Sequence, residues 1–448
     1  MQTKLAPEYK DTPDGIAAEA ILRKCVHCGF CNATCPTYQL LGDERDGPRG
    51  RIYLMKQVLE GETPTQRTQL HLDRCLTCRN CETTCPSGVE YGHLVDIGRK
   101  LVDQKVTRPL GERALRGALA QGLTSPLFGP AMRVGQSVRA LLPQALKDKV
   151  PERQDPGHWP ARTHARKVLL LAGCVQPAML PNINYSTARV LDAAGIQTLV
   201  AVGETCCGAI KFHLDAQEAA MVQMRANIDA WWPYIEPDRG RDGALVPVEA
   251  IVMNASGCGV TVKEYGHLLR DDPAYAERAR RVSALTRDIS ELLPDLVPAL
   301  QGRLQPQRSS AKQGQPEGAA PGLLAFHPPC TLQHGQQLRG LVEEHLGTLG
   351  FQIKSSQHEA HLCCGSAGTY SVLQPELAKQ LRDRKLGNLA ELRPAVIVSA
   401  NVGCITHLQS GTATPVRHWI ELLDEALAAH PAAAVAGQQP GGASPSGP

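Results

Sequence analysis

Two cysteine runs of identical spacing, CVHCGFCNATCP at residues 25–36 and CLTCRNCETTCP at residues 75–86, constrain this chain more than any other feature. Both follow C-x2-C-x2-C-x3-C-P, the spacing of bacterial [4Fe–4S] cluster motifs. Three thiolates spaced three residues apart can bind one cube from a single tight loop. The longer last step and the proline carry the fourth cysteine away, so that it binds the other cube. A chain with this pattern must fold both loops into one small unit.

This crossed rule predicts two sets of cluster ligands. Cluster 1 takes Cys25, Cys28, Cys31 and Cys85, and cluster 2 takes Cys75, Cys78, Cys81 and Cys35. Zinc is the weaker interpretation, because structural zinc usually binds two C-x2-C pairs and not three cysteines with a fourth before proline. Disulfides are disfavoured too, because the N-terminus MQTKLAPEYKDTPDG has no apolar segment typical of a signal peptide.

Composition excludes several other classes of function. The 448 residues carry 47 basic and 44 acidic side chains without a long basic block, so nothing indicates nucleic-acid binding. The length predicts two to four domains. No run of about 18 apolar residues is present, which predicts a chain without a membrane-spanning helix. These features favour a reducing, cytoplasmic setting, where clustered thiols indicate metal or redox chemistry.

The other eight of the 16 cysteines form a second pair of repeats, each with a Cys-Cys-Gly turn. We call them the first and second CCG repeats. ETCCGA in the first matches HLCCGS in the second, and NASGCG matches NVGC. The cysteines of the first repeat are Cys174, Cys206, Cys207 and Cys258, and those of the second are Cys330, Cys363, Cys364 and Cys404.

Apolar runs around these cysteines predict alternating strands and helices. KVLLLAGC, EAIVMNASGC, GLLAFHPPC and PAVIVSANVGC read as strands that end at a cysteine, and TLVAV as another strand. TARVLDAAG reads as a helix with Thr187 as its N-cap and Gly195 at its end. The cysteines should therefore meet at the carboxyl edge of each sheet, where α/β proteins bind ligands.

Each CCG repeat has three open interpretations. Two adjacent thiolates beside a strand-end cysteine can bind a further cluster, or they can form a reversible dithiol and disulfide. Buried structural cysteines are the third. The glycine would let the backbone turn tightly beside a cofactor.

The predicted fold class is α/β, with a mainly helical, two-cluster ferredoxin-like domain at the N-terminus followed by two repeated α/β CCG domains. The predicted boundaries are 1–17 for a flexible N-terminus, 18–105 for the ferredoxin-like domain, 106–166 for a helical connector and linker, 167–300 for the first CCG domain, 301–322 for a disordered linker, 323–431 for the second CCG domain and 432–448 for a disordered tail. RGRIYLMKQVLEGE, between the two runs, predicts a helix with Ile52, Met55 and Leu59 on one face.

Polar residues near the runs have more than one interpretation. His27 and Arg79 either tune the cluster potentials or lie in solvated loops. Arg45, Arg49 and Arg51 either offset cluster charge, dock an acidic partner or lie in solvent.

Two ferredoxin-type runs followed by two CCG repeats resemble the iron–sulfur subunits of bacterial dehydrogenases. The family includes subunits of heterodisulfide reductase and of anaerobic glycerol-3-phosphate dehydrogenase. From about residue 18 to 427, the segments CVHCGFCNATCPTYQLLGDERDGPRGRIYLMKQVLEG, HLDRCLTCRNCETTCPSG, NIDAWWP, SGCGVTVKEYG, HLCCGSAGTY and VRHWIELL most closely resemble the glycolate oxidase (glycolate dehydrogenase) iron–sulfur subunits.

This resemblance implies an electron-transfer subunit in a three-subunit complex. Its two flavin-type partners would hold FAD, and one of them would oxidise glycolate to glyoxylate. Electrons would pass through two [4Fe–4S] clusters to a membrane quinone or another acceptor, with the chain peripheral on the cytoplasmic face of a bacterial inner membrane. No catalytic residue for glycolate oxidation is expected here, and no G-x-G-x-x-G turn lies between a strand and a helix.

One departure from the broader family pattern leaves alternatives open. That pattern ends each CCG repeat in C-x2-C, whereas Cys258 and Cys404 have no such second cysteine, so each repeat has four cysteines and not five. His407 is a candidate for the missing ligand. The rival functions are the equivalent subunit of a lactate or glycerol-3-phosphate dehydrogenase, a heterodisulfide-reductase-like thiol–disulfide enzyme, and a zinc-binding adaptor.

Overall fold

A computed structural model describes residues 1–147, 149–236, 247–304 and 322–430. The N-terminal part is helical, and a 3-10 turn spans Glu44–Asp46. Its helices are α1 (Pro7–Lys10), α2 (Pro13–Lys24), α3 (Phe30–Ala33), α4 (Pro36–Leu41), α5 (Pro48–Leu59), α6 (Gln66–Asp73), α7 (Asn80–Thr84) and α8 (Tyr91–Lys105).

Helices α2, α5 and α8 pack around the core of this part. The helix predicted between the cysteine runs is confirmed as α5, and its apolar face of Ile52, Met55 and Leu59 is buried. Residues 1–17 differ from the predicted flexible segment. Pro7 and Pro13 each occupy the first turn of a helix, where proline is favoured, and Tyr9 is buried in the core.

A helical connector joins this part to the sheets. It contains α9 (Leu110–Gly122), α10 (Phe128–Ser137), a 3-10 turn (Arg139–Leu141) and α11 (Gln144–Lys147). Residues 151–165, rich in proline and charge, have no regular secondary structure.

Two four-stranded parallel sheets follow, and the predicted α/β class is confirmed. The first has the order β2-β1-β3-β4 and the second the order β6-β5-β7-β8, so the two have the same topology. The strands are β1 (Arg166–Leu170), β2 (Ile196–Leu199), β3 (Ala250–Met253), β4 (Thr286–Asp288), β5 (Leu324–Phe326), β6 (Ile353–Ser355), β7 (Val396–Ser399) and β8 (Val416–His418).

Helices flank both sheets. Those of the first CCG repeat are α12 (Gln176–Met179), α13 (Asn182–Ala193), α14 (Ala209–His213), α15 (Gln217–Ile235), α16 (Ser256–Lys263), α17 (Tyr265–Leu268), α18 (Ala276–Leu285) and α19 (Leu293–Leu304), with a 3-10 turn at Ile289–Leu292. Those of the second are α20 (Leu341–Thr348), α21 (Tyr370–Leu373), α22 (Pro375–Ala390), α23 (Val402–Gln409) and α24 (Trp419–Ala428), with a π-helical turn at Thr331–Gly335.

Two local predictions in the sheets are wrong. The helix predicted from Thr187 begins earlier, at Asn182, and Thr187 is buried inside it, where its hydroxyl donates to the Ile183 carbonyl oxygen at 2.8 Å. None of the four cysteines predicted at strand ends lies there, since Cys174 and Cys330 follow β1 and β5 by four residues and Cys258 and Cys404 follow β3 and β7 by five. Cys258 and Cys404 each lie in the first turn of the next helix, because the backbone turns before the cysteine is reached.

The two CCG repeats share one hydrophobic core. Side chains of both sheets and of the helices between them form a single buried cluster, and α13 packs along α24. Polar contacts reinforce this interface, where Asn182 donates to Glu421 at 2.6 Å and Ser186 donates to Asp424 at 2.9 Å. Residues 301–304 of the predicted linker form the end of α19. Residues 305–321 and the predicted tail, 432–448, lie outside the described residues.

Candidate iron–sulfur and thiol sites

The two cysteine runs fold into loops of matching backbone conformation. His27 and Thr77, at equivalent positions, have φ of 57° and 50°. Gly29 and Arg79, also equivalent, have φ of 84° and 58°. Left-handed residues other than glycine are strained and collect where the backbone must curl around a ligand. The repeated strain is what a loop that wraps a cluster requires.

The four thiols predicted for cluster 1 lie together. Burial and, to a smaller extent, the neighbouring thiols Cys25, Cys85 and Cys28 raise the pKa of the Cys31 thiol to about 11. All four line one cavity, whose wall Cys81 also reaches. Thiols this close cannot all ionise unless a cation neutralises them, so the group fits a thiolate-bound metal cluster.

The thiols predicted for cluster 2 also lie together. Burial raises the pKa of Cys81 well above its usual range, and its neighbours Cys78, Cys75 and Cys35 contribute. The hydroxyl of Tyr91 donates to the Cys75 sulfur at 3.6 Å. This set is therefore enclosed, and it contains the cysteine from the other run that the crossed rule assigns to it.

A buried cation accompanies the second set. Arg51 is 1% exposed, and its Nη1 lies 4.0 Å from the Cys35 sulfur. Its Nε donates to the His71 carbonyl oxygen at 2.7 Å, which fixes the guanidinium in place. Arg51 also lies 3.6 Å from the buried carboxylate of Asp46. Its position next to Cys35 favours the role of offsetting cluster charge, one of those that the sequence left open.

The other two arginines of that segment behave differently. Arg49 lines the cluster 1 cavity and pairs with Glu44 at 2.6 Å. Arg45 is exposed and pairs with Asp43 at 2.7 Å. Of these three arginines, Arg51 alone is buried against the cluster thiols.

The two remaining polar loop residues, His27 and Arg79, also differ in their surroundings. His27 lines the cluster 1 cavity, and burial, together with the charge of Arg49, lowers its pKa. The guanidinium of Arg79 forms a bidentate ion pair with Glu264 of the first CCG repeat. This pairing favours a structural role for Arg79 over tuning of the cluster potential. His93 Nε2 reaches the same carboxylate at 3.2 Å.

The two loops differ in what covers them. The second loop packs beneath the second CCG repeat, where Asn80 donates to the His361 carbonyl oxygen at 3.3 Å and Thr83 contacts His334 Nδ1 at 3.0 Å. The first loop faces solvent, with Cys28 exposed and Phe30 60% exposed. The assembly therefore has one open and one covered cluster position.

The thiols of the first CCG repeat form a connected group. The Cys174 sulfur donates a hydrogen bond to the Cys206 sulfur at 3.3 Å. Hydrogen bonds from Cys174 and Cys207 lower the pKa of Cys206, which favours its thiolate. Gly208, at φ of 95°, makes the predicted tight turn. Cys174 and Cys258 are only half-buried, so this group is open to small molecules.

The second CCG repeat is more enclosed. All four of its cysteines are buried, and the sulfur atoms of Cys330 and Cys363 lie 3.8 Å apart. Gly365, at φ of 88°, packs so closely on α22 that a Cβ there would lie 2.5 Å from the Ala378 carbonyl oxygen. Only glycine fits this turn.

A histidine that sequence reasoning missed completes this group. A ring nitrogen of His327 and the sulfur atoms of Cys364 and Cys404 all lie within 4.8 Å of one another. His407, the candidate from the sequence, is absent from that group, and its Nε2 bonds to the Ala378 carbonyl oxygen at 3.1 Å. The available signal was FHPPC, in which a histidine stands at the end of an apolar strand that has Leu171 in the other repeat.

Comparison with known proteins matches this architecture. Residues 21–89 match the family of 4Fe-4S dicluster domains, and residues 168–263 and 324–409 match the cysteine-rich domain family. The chain is 52% identical to the glycolate oxidase iron-sulfur subunit of Escherichia coli (strain K12), across 95% of this chain and 99% of that protein.

More distant relatives share parts of the pattern. The probable glycolate oxidase iron-sulfur subunit of Bacillus subtilis (strain 168) is 29% identical across 90% of this chain and 91% of its own length. Lactate utilization protein A of Geobacillus thermodenitrificans (strain NG80-2) is 26% identical across 58% of this chain and 98% of its own length. Within the described residues, none of the helices combines the length and the apolar character needed to cross a bilayer.

Proposed function

Because this chain belongs to the family of glycolate oxidase iron–sulfur subunits, we propose a route by which it carries electrons within such an enzyme. It is an electron-transfer subunit with [4Fe–4S] clusters, and flavin-containing subunits are its partners. When bound, the clusters supply reversible one-electron chemistry. The ligands in our proposal are the two crossed sets, Cys25, Cys28, Cys31 and Cys85 for cluster 1 and Cys75, Cys78, Cys81 and Cys35 for cluster 2.

The observation that carries this proposal is the position of Cys85. It belongs to the second run, yet its thiol neighbours Cys31 of the first. An uncrossed arrangement would leave Cys85 among Cys75, Cys78 and Cys81. The crossing keeps the two clusters a short distance apart inside one rigid unit, which favours electron transfer between them.

The covered and open loops give the route a direction. We propose that a flavin partner docks on the open loop, where Val26 and Phe30 expose apolar side chains beside Cys28. Electrons then enter at cluster 1 and pass to cluster 2. Arg51 supports the second step, because a buried cation next to Cys35 favours the additional negative charge of the reduced state.

We propose two flavin partners, a membrane quinone as the acceptor, and peripheral attachment to the membrane. The connector supports this attachment. Leu110 in α9, Leu127 directly before α10 and Leu141 in the following 3-10 turn are 80%, 73% and 85% exposed. Arg113 lies in α9 and Arg133 in α10. Exposed apolar side chains beside basic ones are typical of surfaces that enter a lipid headgroup region. Flotation with anionic vesicles tests this, since L127E with L141E should abolish binding that the wild type shows.

The central experiment is reduction by substrate. The chain, alone and assembled with its flavin partners, is mixed anaerobically with glycolate and examined by EPR. We expect cluster signals only in the complex. Signals that appear with lactate or glycerol 3-phosphate but not with glycolate would contradict the substrate assignment. Signals in the isolated chain would contradict the partner's role.

A second candidate function, thiol–disulfide exchange, rests on the first CCG repeat. The buried Cys206 thiolate lies 3.3 Å from the half-buried Cys174, and this pair could exchange with a disulfide substrate that reaches Cys174 from solvent. The isolated chain, reduced by dithionite, would then cleave a small disulfide such as dithiobis(nitrobenzoate) catalytically. Stoichiometric reaction alone would exclude this activity.

A further inference from the structure

We propose that the second CCG repeat binds a further iron–sulfur cluster, with the imidazole of His327 as a ligand beside four thiolates. Those thiolates are Cys330, Cys363, Cys364 and Cys404. The proposed function requires only the two crossed clusters, so this site goes beyond it. Binding would release the thiol protons to solvent as the sulfur–iron bonds form.

Geometry brings five donors into one buried group. A nitrogen of His327 lies within 4.8 Å of both the Cys364 and the Cys404 sulfur atoms. Cys330 and Cys363 extend the group, with their sulfur atoms 3.8 Å apart. The donors come from both ends of the repeat, and β5, the Cys-Cys-Gly turn and α23 hold them together.

His327 has no other use in the fold. It is 1% exposed, and neither ring nitrogen has a hydrogen-bond partner among the described residues. An unpaired buried nitrogen destabilises a protein, so such groups nearly always have partners. A metal bound to the lone pair of one nitrogen would supply one here.

The first CCG repeat provides an internal comparison. The Leu171 N–H donates to the Val252 carbonyl oxygen of β3, and the His327 N–H donates to the Val398 carbonyl oxygen of β7. The two residues therefore occupy the same register in the same topology. Because one repeat folds with leucine at this position, the histidine is not a requirement of the fold.

Several features favour a cluster over a single zinc ion. Zinc in structural sites gathers its ligands around one ion, whereas only His327, Cys364 and Cys404 of these five donors lie within 4.8 Å of one another, so the group is wider than a single ion would hold. The buried Lys385 lies close enough to Cys364 and Cys363 for their charges to act on it, so it can balance several thiolates. The site also adjoins cluster 2, because Cys330 and Cys363 belong to a buried hydrophobic cluster against which Cys78 packs. A redox centre here would exchange electrons with cluster 2.

The test compares iron, zinc, acid-labile sulfide and EPR spectra of three full-length proteins isolated anaerobically with their partners. They are the wild type, H327L, which copies the first repeat, and H407L, a matched change of another buried histidine in the same repeat. We expect clearly more than the roughly eight irons of two [4Fe–4S] cubes in the wild type and in H407L. H327L should lose most of the excess iron and one EPR signal. It should keep the roughly eight irons of the two cubes.

Two further variants separate loss of a ligand from loss of the fold. H327C should restore the excess iron with a changed EPR signal, because a thiolate replaces the imidazole. C363A should lose the same excess. Eight irons in the wild type, an excess that H327L retains, or one zinc per chain that H327L removes would each overturn the site. Fewer than eight irons in the wild type would instead contradict the two crossed clusters.

Discussion

The hydroxyl groups of Thr34 and Thr84 lie 3.2 Å apart. These residues occupy equivalent positions in the two cysteine runs, directly before Cys35 and Cys85. Contact between equivalent atoms of two matching loops is expected where a local twofold axis passes between them. We infer that such an axis relates the two runs, an arrangement in which each fourth cysteine crosses toward the other loop.

This relationship leads to a prediction about pairs of cysteine variants. If the sets are crossed, C28A and C85A disable the same cluster, so the double variant should keep about four irons and four sulfides per chain in the ferredoxin-like part. C28A with C35A should lose both clusters. Both double variants are made in protein that also carries C363A, so that iron in the second CCG repeat does not add to the count. Iron and sulfide analysis, with EPR, then measures the remaining clusters. The reverse result would establish uncrossed ligation.

We expect R51M to lower the reduction potential of cluster 2. The variant removes the buried positive charge next to Cys35, which destabilises the more negative reduced state. A tenfold change in the equilibrium constant between the oxidised and reduced cluster corresponds to about 59 mV for one electron, and the shift in potential should be of this order. EPR-monitored redox titration measures it. R51K, which keeps the charge, should shift less, and R45M, at an exposed pair, should leave the potential unchanged.

The ion pair between Arg79 and Glu264 should contribute strongly to docking of the ferredoxin-like part. Their side chains are 15% and 21% exposed, and Arg79 Nη2 lies 2.7 Å from a Glu264 oxygen. E264A leaves the largely buried Arg79 without its carboxylate partner, so it should destabilise the protein by about 3 kcal/mol. R79A should cost somewhat less, because His93 still contacts Glu264 at 3.2 Å.

A double-variant cycle checks this expectation by thermal unfolding. The double variant should cost clearly less than the sum of the two single variants. The exposed pair Arg280–Glu277 is the control, and its removal should change stability by about 1 kcal/mol or less. Additive effects at Arg79 and Glu264 would mean that the pair contributes no coupling.

Stability should fall as the pH is lowered below about 6.5, in part through His418. Burial lowers the pKa of this side chain to about 3, and its Nε2–H donates to the Asn254 carbonyl oxygen of the other CCG repeat. Because the unfolded chain binds the proton near pH 6.5 and the folded chain does not, acid favours unfolding. From pH 7 to pH 5.5 this one group contributes a loss of about 1.2 kcal/mol.

The variant H418Q isolates that contribution. Glutamine can still donate to Asn254 and accept from the Ile420 N–H, but it does not titrate in this range. Denaturant unfolding at both pH values should therefore give a smaller acid loss for the variant than for the wild type. An equal loss in both proteins would remove His418 as a cause.

Docking of a flavin partner on the open loop gives a further prediction. F30E places a charge on the exposed apolar surface beside Cys28, so it should weaken co-purification of the partners at least tenfold. Iron content should not change. V202E, at an apolar residue of the first CCG repeat that is 92% exposed, is the matched control and should assemble normally. Equal assembly of both variants would exclude the loop as the docking surface.

Sequence spacing predicted much of this fold, because it reports local requirements. The two runs predicted the loops, and apolar runs with Cys-Cys-Gly turns predicted two matching sheets. Strands β4, β6 and β8 were missed because their sequences, TRD, IKS and VRH, contain no apolar run, whereas the equally short β5 lies within one. The start of α13 was missed, since Thr187 is a buried partner of Asn254 and not a cap.

The missed site residues depend on long-range contacts. Arg51 lies in a charged segment that reads as solvated, and only the packing of α4, α5 and α6 buries it next to Cys35. His327 reads as one polar residue after a strand, and only the folded sheet brings it to Cys364 and Cys404. His407 was nearer in sequence to Cys404, but the helix turns it toward Ala378.

The core shared by the two CCG repeats also restricts how this chain can evolve. A duplicated domain is usually free to diverge, because each copy folds alone. Here Arg189 and Ser186 of one copy bind Asp424 of the other. A mutation at Asp424 must therefore be accommodated in both halves at once. The repeats could acquire different chemistry at their cysteine turns, but the face that joins them had to be inherited as one unit.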